Sequence, residues 1–166
     1  MSDHAPVDLS LRSVLRENAA LAIMYALGTI LVALLWWPLG LIYLGYCLLS
    51  NVLYMAWICP YCPHYIAATC PAGYQRISGG RFQARAGKTF SGQFRYGVIM
   101  LFPGWSVPPV VGLYLLVTNF TWLVVALMAL FCVVGFLILP VYSRRNCEGC
   151  ENEACPRRKS KPATGG

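Results

Sequence analysis

The chain has 166 residues, of which 58% are hydrophobic and 11% charged, with a mean hydropathy of +0.58. Soluble domains carry about 25% charged residues, and a soluble fold this apolar would expose large hydrophobic patches, so composition points to a membrane as the solvent. The net charge is +7, and no Asp, Glu, Lys or Arg falls between Glu17 and Arg76 or between Arg95 and Arg144. Each charge-free block is long enough to cross a bilayer twice.

Residues 1–18 begin polar. Val7, Leu11, Val14 and Leu15 then recur at helical spacing, with Asp8, Arg12 and Arg16 on other faces. That pattern suits either a short helix in the headgroup region or a tail leading into the first span. No small-residue cleavage site follows the first apolar run, so a removed signal peptide is not expected.

Residues 19–37 are apolar and would make a helix of about 28 Å, near the hydrocarbon thickness. Trp36 and Trp37 suit the water interface, and Pro38 is expected to end the helix. Residues 39–58 form the return span, so 19–58 is one tight antiparallel hairpin.

Residues 59–95 are polar and rich in glycine. They hold five basic residues, Arg76, Arg81, Arg85, Lys88 and Arg95, and no acid. Residues 96–142 form the second hairpin, with its turn at Asn119. Its first span, 96–118, contains Pro103, Pro108 and Pro109, and is expected to break there. In lipid the carbonyls freed by such a break need partners, so this helix should face its neighbours at the prolines. Residues 143–166 are a cysteine-rich, mixed-charge tail.

The expected fold is therefore an all-α integral membrane protein, a bundle of four transmembrane helices with a cysteine-rich cap. Four crossings bring both termini and residues 59–95 to one side, and every Lys and Arg lies there. By the positive-inside rule that side is cytoplasmic. The expected location is a bacterial or archaeal cytoplasmic membrane.

Six of the eight cysteines fall in two triplets, each just after an apolar span: Cys59, Cys62 and Cys70, then Cys147, Cys150 and Cys155. The spacings are Cys-x2-Cys-x7-Cys-Pro and Cys-x2-Cys-x4-Cys-Pro. Both follow a hairpin, and duplication and convergence explain that equally well. Structural disulfides are rare in a reducing cytosol, and clustered thiolates there usually hold a metal. Cys-x-x-Cys sets two sulfurs on one turn, a bite that suits tetrahedral coordination. The six are the candidate metal ligands, for zinc (on one or two ions) or for an iron–sulfur cluster. Cys-Pro also recurs in the cluster motifs of bacterial ferredoxins. A thiol–disulfide role stays open, because Cys-x-x-Cys can lower a thiol pKa.

Three partial resemblances accompany these readings. The triplet spacings are similar to those of binuclear six-cysteine zinc clusters, which implies two zinc ions sharing thiolates. Cys59-Pro60-Tyr61-Cys62 resembles the glutaredoxin active-site tetrapeptide over four residues, which implies redox-active thiols. Glutaredoxins place that tetrapeptide at a helix start, whereas here it follows a transmembrane run. Four spans with two cysteine groups also resemble the disulfide-generating quinone reductases of the bacterial envelope. In that family the cysteines face the oxidising side, and the charge bias here puts them on the other.

His64 is a weaker ligand candidate, since only Pro63 separates it from Cys62. His4 belongs to the tail. Cys47 and Cys132 lie inside spans and read as small apolar residues. Ser50 and Asn51 are polar groups in the second span, each expected to hydrogen-bond a neighbouring helix. No span contains a histidine, which disfavours haem b. No span holds an ionisable acid or base to relay protons or bind ions, which disfavours a pump or a carrier of charged substrates. Gly87-Lys88-Thr89 lacks the glycine that a phosphate-binding loop needs at position 82, which is Phe82, so no nucleotide is expected. The basic loop with Phe82, Phe90, Phe94 and Tyr96 reads as attraction to anionic lipid, about 1 kcal/mol per basic residue, or as a topology signal alone, and not as a nucleic-acid surface. The expected partners are the lipid bilayer and a cytoplasmic protein.

Two functions fit. One is a redox subunit passing electrons between a cytoplasmic partner and a membrane carrier. The other is a zinc-stabilised anchor that docks a soluble partner without catalysis. The expected break around Trp105 reads first as a helix that merely packs and second as the wall of a pocket for a quinone or lipid; the break leans towards the first function, and the lack of a catalytic acid–base set towards the second.

Overall fold

A computed structural model of the chain describes residues 11–62, Tyr74, Phe82 and 90–141. Among the described residues the structure is helical, with no strand. We number the helices α1 (Leu11–Leu35), α2 (Trp37–Trp57), α3 (Phe90–Thr118) and α4 (Trp122–Cys132). Helix α4 continues through a π-helical turn, Val133–Ile138. All four are long and apolar enough to cross a membrane, over Asn18–Leu35, Trp37–Tyr61, Gly92–Thr118 and Trp122–Val141.

Only 28% of the first span and 22% of each of the others is buried. The rest is mostly apolar, including Ile30, Leu41, Ile42, Ile99, Val110 and Leu137, so lipid is the solvent that matches this surface. Exposed aromatics cluster at both ends of the bundle: Trp36, Trp37, Phe120 and Trp122 at one, Trp57 and Tyr96 at the other. Two such belts, a helix length apart, are what a bilayer's two interfaces select.

Three helix boundaries differ from the sequence expectation. Helix α1 runs unbroken from Leu11, with no separate headgroup helix ending at residue 18; no proline or glycine lies between Leu11 and Gly28, so nothing stops propagation there. The link between α1 and α2 is the single residue Trp36, whose backbone is extended. Pro38 does not close α1 but sits in the first turn of α2, where its missing N–H costs nothing.

The third difference is the largest. Helix α3 passes through Pro103, Pro108 and Pro109 without a break. A proline at 108 leaves the carbonyl of Gly104, four residues earlier, without its helical donor. Tyr43 of α2 supplies one: its hydroxyl donates to the Gly104 carbonyl oxygen at 2.7 Å, in a buried contact. One turn along, the Tyr46 hydroxyl donates to the Met100 carbonyl oxygen at 2.5 Å, in the turn that contains Pro103. The prolines do face a neighbouring helix, as lipid demands, and the partner they find there removes the need to break.

Gly28 of α1 completes this junction. A Cβ at that position would lie 2.6 Å from the Tyr43 hydroxyl oxygen and 3.0 Å from Pro108 Cγ. Only glycine lets three helices meet here, the small-residue packing usual between membrane helices. Towards the other end of α1, Asn51 donates through Nδ2 to the Tyr25 hydroxyl at 2.6 Å and to the Cys47 carbonyl at 3.1 Å. Asn51 thus ties α2 to α1, as its position in the span predicts, and Ser50 beside it is buried.

Helices α1 and α3 form the central pair. Each packs on the other, on α2 and on α4. The core is Met24, Tyr25, Leu31, Val32, Tyr43, Cys47, Leu115, Val124, Phe131 and Val134. In α4 the π turn carries Leu139 N–H to the Val134 carbonyl, five residues back, and buries Val134 and Gly135. Thr121 caps α4, its hydroxyl accepting from Val124 N–H at 3.4 Å.

Replacing Tyr43 by Phe strands the Gly104 carbonyl in the bundle. The expected loss is about 1–2 kcal/mol, read by unfolding in mixed micelles. Adding Pro108→Ala to that variant should recover part of the loss, because position 108 regains a backbone N–H. Gly28→Ala should cost about 1–3 kcal/mol by overpacking the same junction, measured in the same assay.

Candidate functional site

The first cysteine pair sits where α2 ends. The Ile58 N–H still bonds the Tyr54 carbonyl at 2.9 Å, and the chain then tightens into a 3-10 turn over Cys59–Tyr61. Pro60 cannot donate to a continuing α-helix; instead Tyr61 N–H reaches the Ile58 carbonyl at 3.1 Å and Cys62 N–H the Cys59 carbonyl at 2.9 Å. Cys59 is buried, Cys62 is half-buried, and both are thiols. The pair therefore projects from one turn at the end of a membrane-length helix, as the motif's spacing predicts.

Helix α3 comes in close beside this turn. A Cβ on Gly97 would meet Tyr54 Cε2 at 2.9 Å and Ile58 Cγ1 at 3.1 Å. Tyr74 also returns to α2, its ring packing edge-on against Tyr54 with centroids 6.4 Å apart. The chain that leaves α2 at Cys62 is thus back beside α2 by Tyr74. Cys70 precedes Tyr74 by four residues, a reach of at most roughly 14 Å.

Next to the turn, between the end of α2 and the start of α3, lies a groove of about 380 Å³. It is lined by Trp57, Ile58, Tyr61, Gln93, Tyr96, Gly97, Ile99 and Met100. Around Trp105 the sequence favours plain packing over a pocket. There, Trp105 packs edge-on against Phe136 of α4, centroids 5.8 Å apart, and Pro108 is fully buried; the intact helix closes that region. The groove depends on two helix ends meeting, a pairing no single stretch of sequence carries.

Of the six candidate ligands, Cys59 and Cys62 fall among the described residues; Cys70, Cys147, Cys150 and Cys155 lie outside them, as does His64. Among the described residues no three His, Cys, Asp or Glu gather as a metal site. Alternating helix direction brings Cys62 and Val141, where the described chain stops, to the same end of the bundle. Helices α2 and α4 flank the α1–α3 pair rather than packing closely on each other. Cys47 lies deep in the core, 3.7 Å from where a Gly104 Cβ would be, and Cys132 is half-buried in α4. Both are packing residues, as their sequence context suggests.

Comparison with protein-family models, with curated proteins and with solved structures finds no match for this chain.

Burial orders the two thiols. In chelator-treated protein, a membrane-impermeant maleimide should modify Cys62 several-fold faster than Cys59, in single-cysteine variants that retain one or the other. Equal rates would contradict the burial difference described above.

Proposed function

We propose that this protein is a membrane redox subunit. Its cysteines hold a metal centre at the cytoplasmic face, and electrons pass between a soluble cytoplasmic protein and a lipid-soluble carrier. The ligands in this reading are Cys59, Cys62 and Cys70, with Cys147, Cys150 and Cys155 on the same or a second centre. The observation that carries it is the position of Tyr61. It lies between the two cysteines of the turn and also lines the groove at the membrane edge, so a centre on Cys59 and Cys62 sits beside a cavity that lipid-soluble molecules can enter. The return of Tyr74 to α2 supports Cys70 as a member of the first set.

The sulfur-rich donor set suits an iron–sulfur cluster or zinc. Iron–sulfur chemistry would supply one-electron steps; the chain's own part is to hold the thiolates at the interface and to keep lipid out of the ligand turn with Pro60 and Ile58. The charge distribution supports a cytoplasmic orientation of this end, since all Lys and Arg flank it.

A zinc-clamped docking module is the second reading. The Tyr54–Tyr74 contact favours it, because Tyr74 packs on α2, and no span carries an acid–base set.

Metal analysis and a visible spectrum of anaerobically purified protein separate the two. The redox reading expects iron with acid-labile sulfide and a brown colour that bleaches on reduction. Colourless protein with bound zinc favours docking, and metal-free protein with a reversible Cys59–Cys62 disulfide favours thiol–disulfide exchange. In each metal case, Cys59→Ser with Cys62→Ser should reduce the metal content by half or more. Unchanged content would overturn the ligand assignment.

A further inference from the structure

We infer that the groove between α2 and α3 binds the head of a neutral quinone-type carrier, with its apolar tail laid along α3. This deepens the redox reading and rests on it for its purpose, though not for its geometry.

The groove's depth in the membrane comes first. Its lining residues lie in the last turns of the span Trp37–Tyr61 and the first turns of the span Gly92–Thr118. That is the level where hydrocarbon meets water, and where the polar head of an amphiphile resides. Exposed Trp57 and Tyr96 mark the same level.

The lining chooses among amphiphiles. None of the described residues that form it is charged. Arg95 stands between Gln93 and Tyr96 in the chain and is exposed, so an anionic headgroup is the competing occupant, and it is the uncharged aromatic lining that favours a neutral ring. A quinone head is neutral, flat, and presents two carbonyl acceptors. It meets aromatic faces from Trp57, Tyr61 and Tyr96, which favour stacking on a planar ring. It also meets two side chains that donate hydrogen bonds, the Tyr61 hydroxyl and the Gln93 amide. A mostly apolar pocket with a few polar groups is the usual form of a small-molecule site.

The tail has a path. Ile99 and Phe102 are exposed, one turn apart on α3, and lead from the groove towards the bilayer centre. Apolar side chains at this spacing share one helix face.

The groove also answers a question about protons. Reduction of a quinone to a quinol takes up two electrons and two protons, and oxidation releases both. In the redox reading the two electrons would be supplied one at a time by a centre held on Cys59 and Cys62, with a soluble reduced protein as the reductant. The spans hold no Asp, Glu or His, and their one basic residue, Arg95, lies at the interface and not along a path inward. A head bound at the interface needs no such relay, since water reaches it from the cytoplasmic side.

The test uses the full chain in lipid nanodiscs and a short-tailed para-benzoquinone as probe, read by tryptophan fluorescence, with metal content measured on the same samples. Saturable quenching is expected, lost in Trp57→Phe. Gln93→Leu should weaken binding about tenfold, the scale of one lost hydrogen bond. Ile99→Trp, which crowds the tail path, should weaken it at least as much. Circular dichroism and a monodisperse profile establish that each variant is folded; Gln93→Asn is a milder second variant should Gln93→Leu fail. The metal-depleted Cys59→Ser, Cys62→Ser protein should still bind the probe.

Absence of saturable binding, or binding that both groove variants leave unchanged, overturns the quinone site. So does displacement of the probe by anionic phospholipid, which would make this a headgroup site. Normal probe binding by a protein without any metal keeps the site and removes the electron-transfer reading. Bound iron with acid-labile sulfide and no probe binding does the reverse.

Discussion

One hydrogen bond between helices governs how this bundle can be built: the Tyr43 hydroxyl donating to the Gly104 carbonyl, which Pro108 leaves without a donor. In water such a carbonyl would be solvated at little cost. In hydrocarbon it must be satisfied by protein. Satisfying it forces α2 and α3 into one register, with Tyr43 opposite Gly104 and Tyr46 opposite Met100. That register in turn sets the end of α2 against the start of α3 at Gly97. The junction near the middle of the membrane therefore fixes where the cysteine turn and the neighbouring groove meet, several turns away. Gly28 extends the same constraint to α1, which has no room there for a side chain.

The packing elsewhere follows membrane rules rather than those of soluble cores. The buried set is small, and polar side chains work as ties between helices rather than as solvated groups. Asn51 joining Tyr25 is the second such tie. Large apolar side chains face outward along most of each helix, because lipid solvates them as well as a protein interior does.

Much of this was readable from the residues. Charge-free blocks gave the number of membrane-length helices, and the Trp pair with Pro38 located the first reversal to within a residue. Asn51 bridged two helices as its place in the span implied. The missed features share a cause. Proline's effect on a helix depends on whether a donor waits across the interface, and that donor, Tyr43, lies 61 positions from Gly104. The pattern around 103–109 reads as a break when Tyr43 is out of view. The groove was hidden for the same reason, being made by residues from two helices that sequence treats separately. The cysteine turn was visible at once because its chemistry is local: two sulfurs and a proline within four residues.

The shortness of the two far links bears on how the protein enters a membrane. One is Trp36 alone, and the other spans residues 119–121, Asn-Phe-Thr. Neither carries a charge. A hairpin that enters the bilayer link-first thus moves only a few neutral residues through the hydrocarbon. Each pair of helices is suited to slip in as a unit, already folded back on itself.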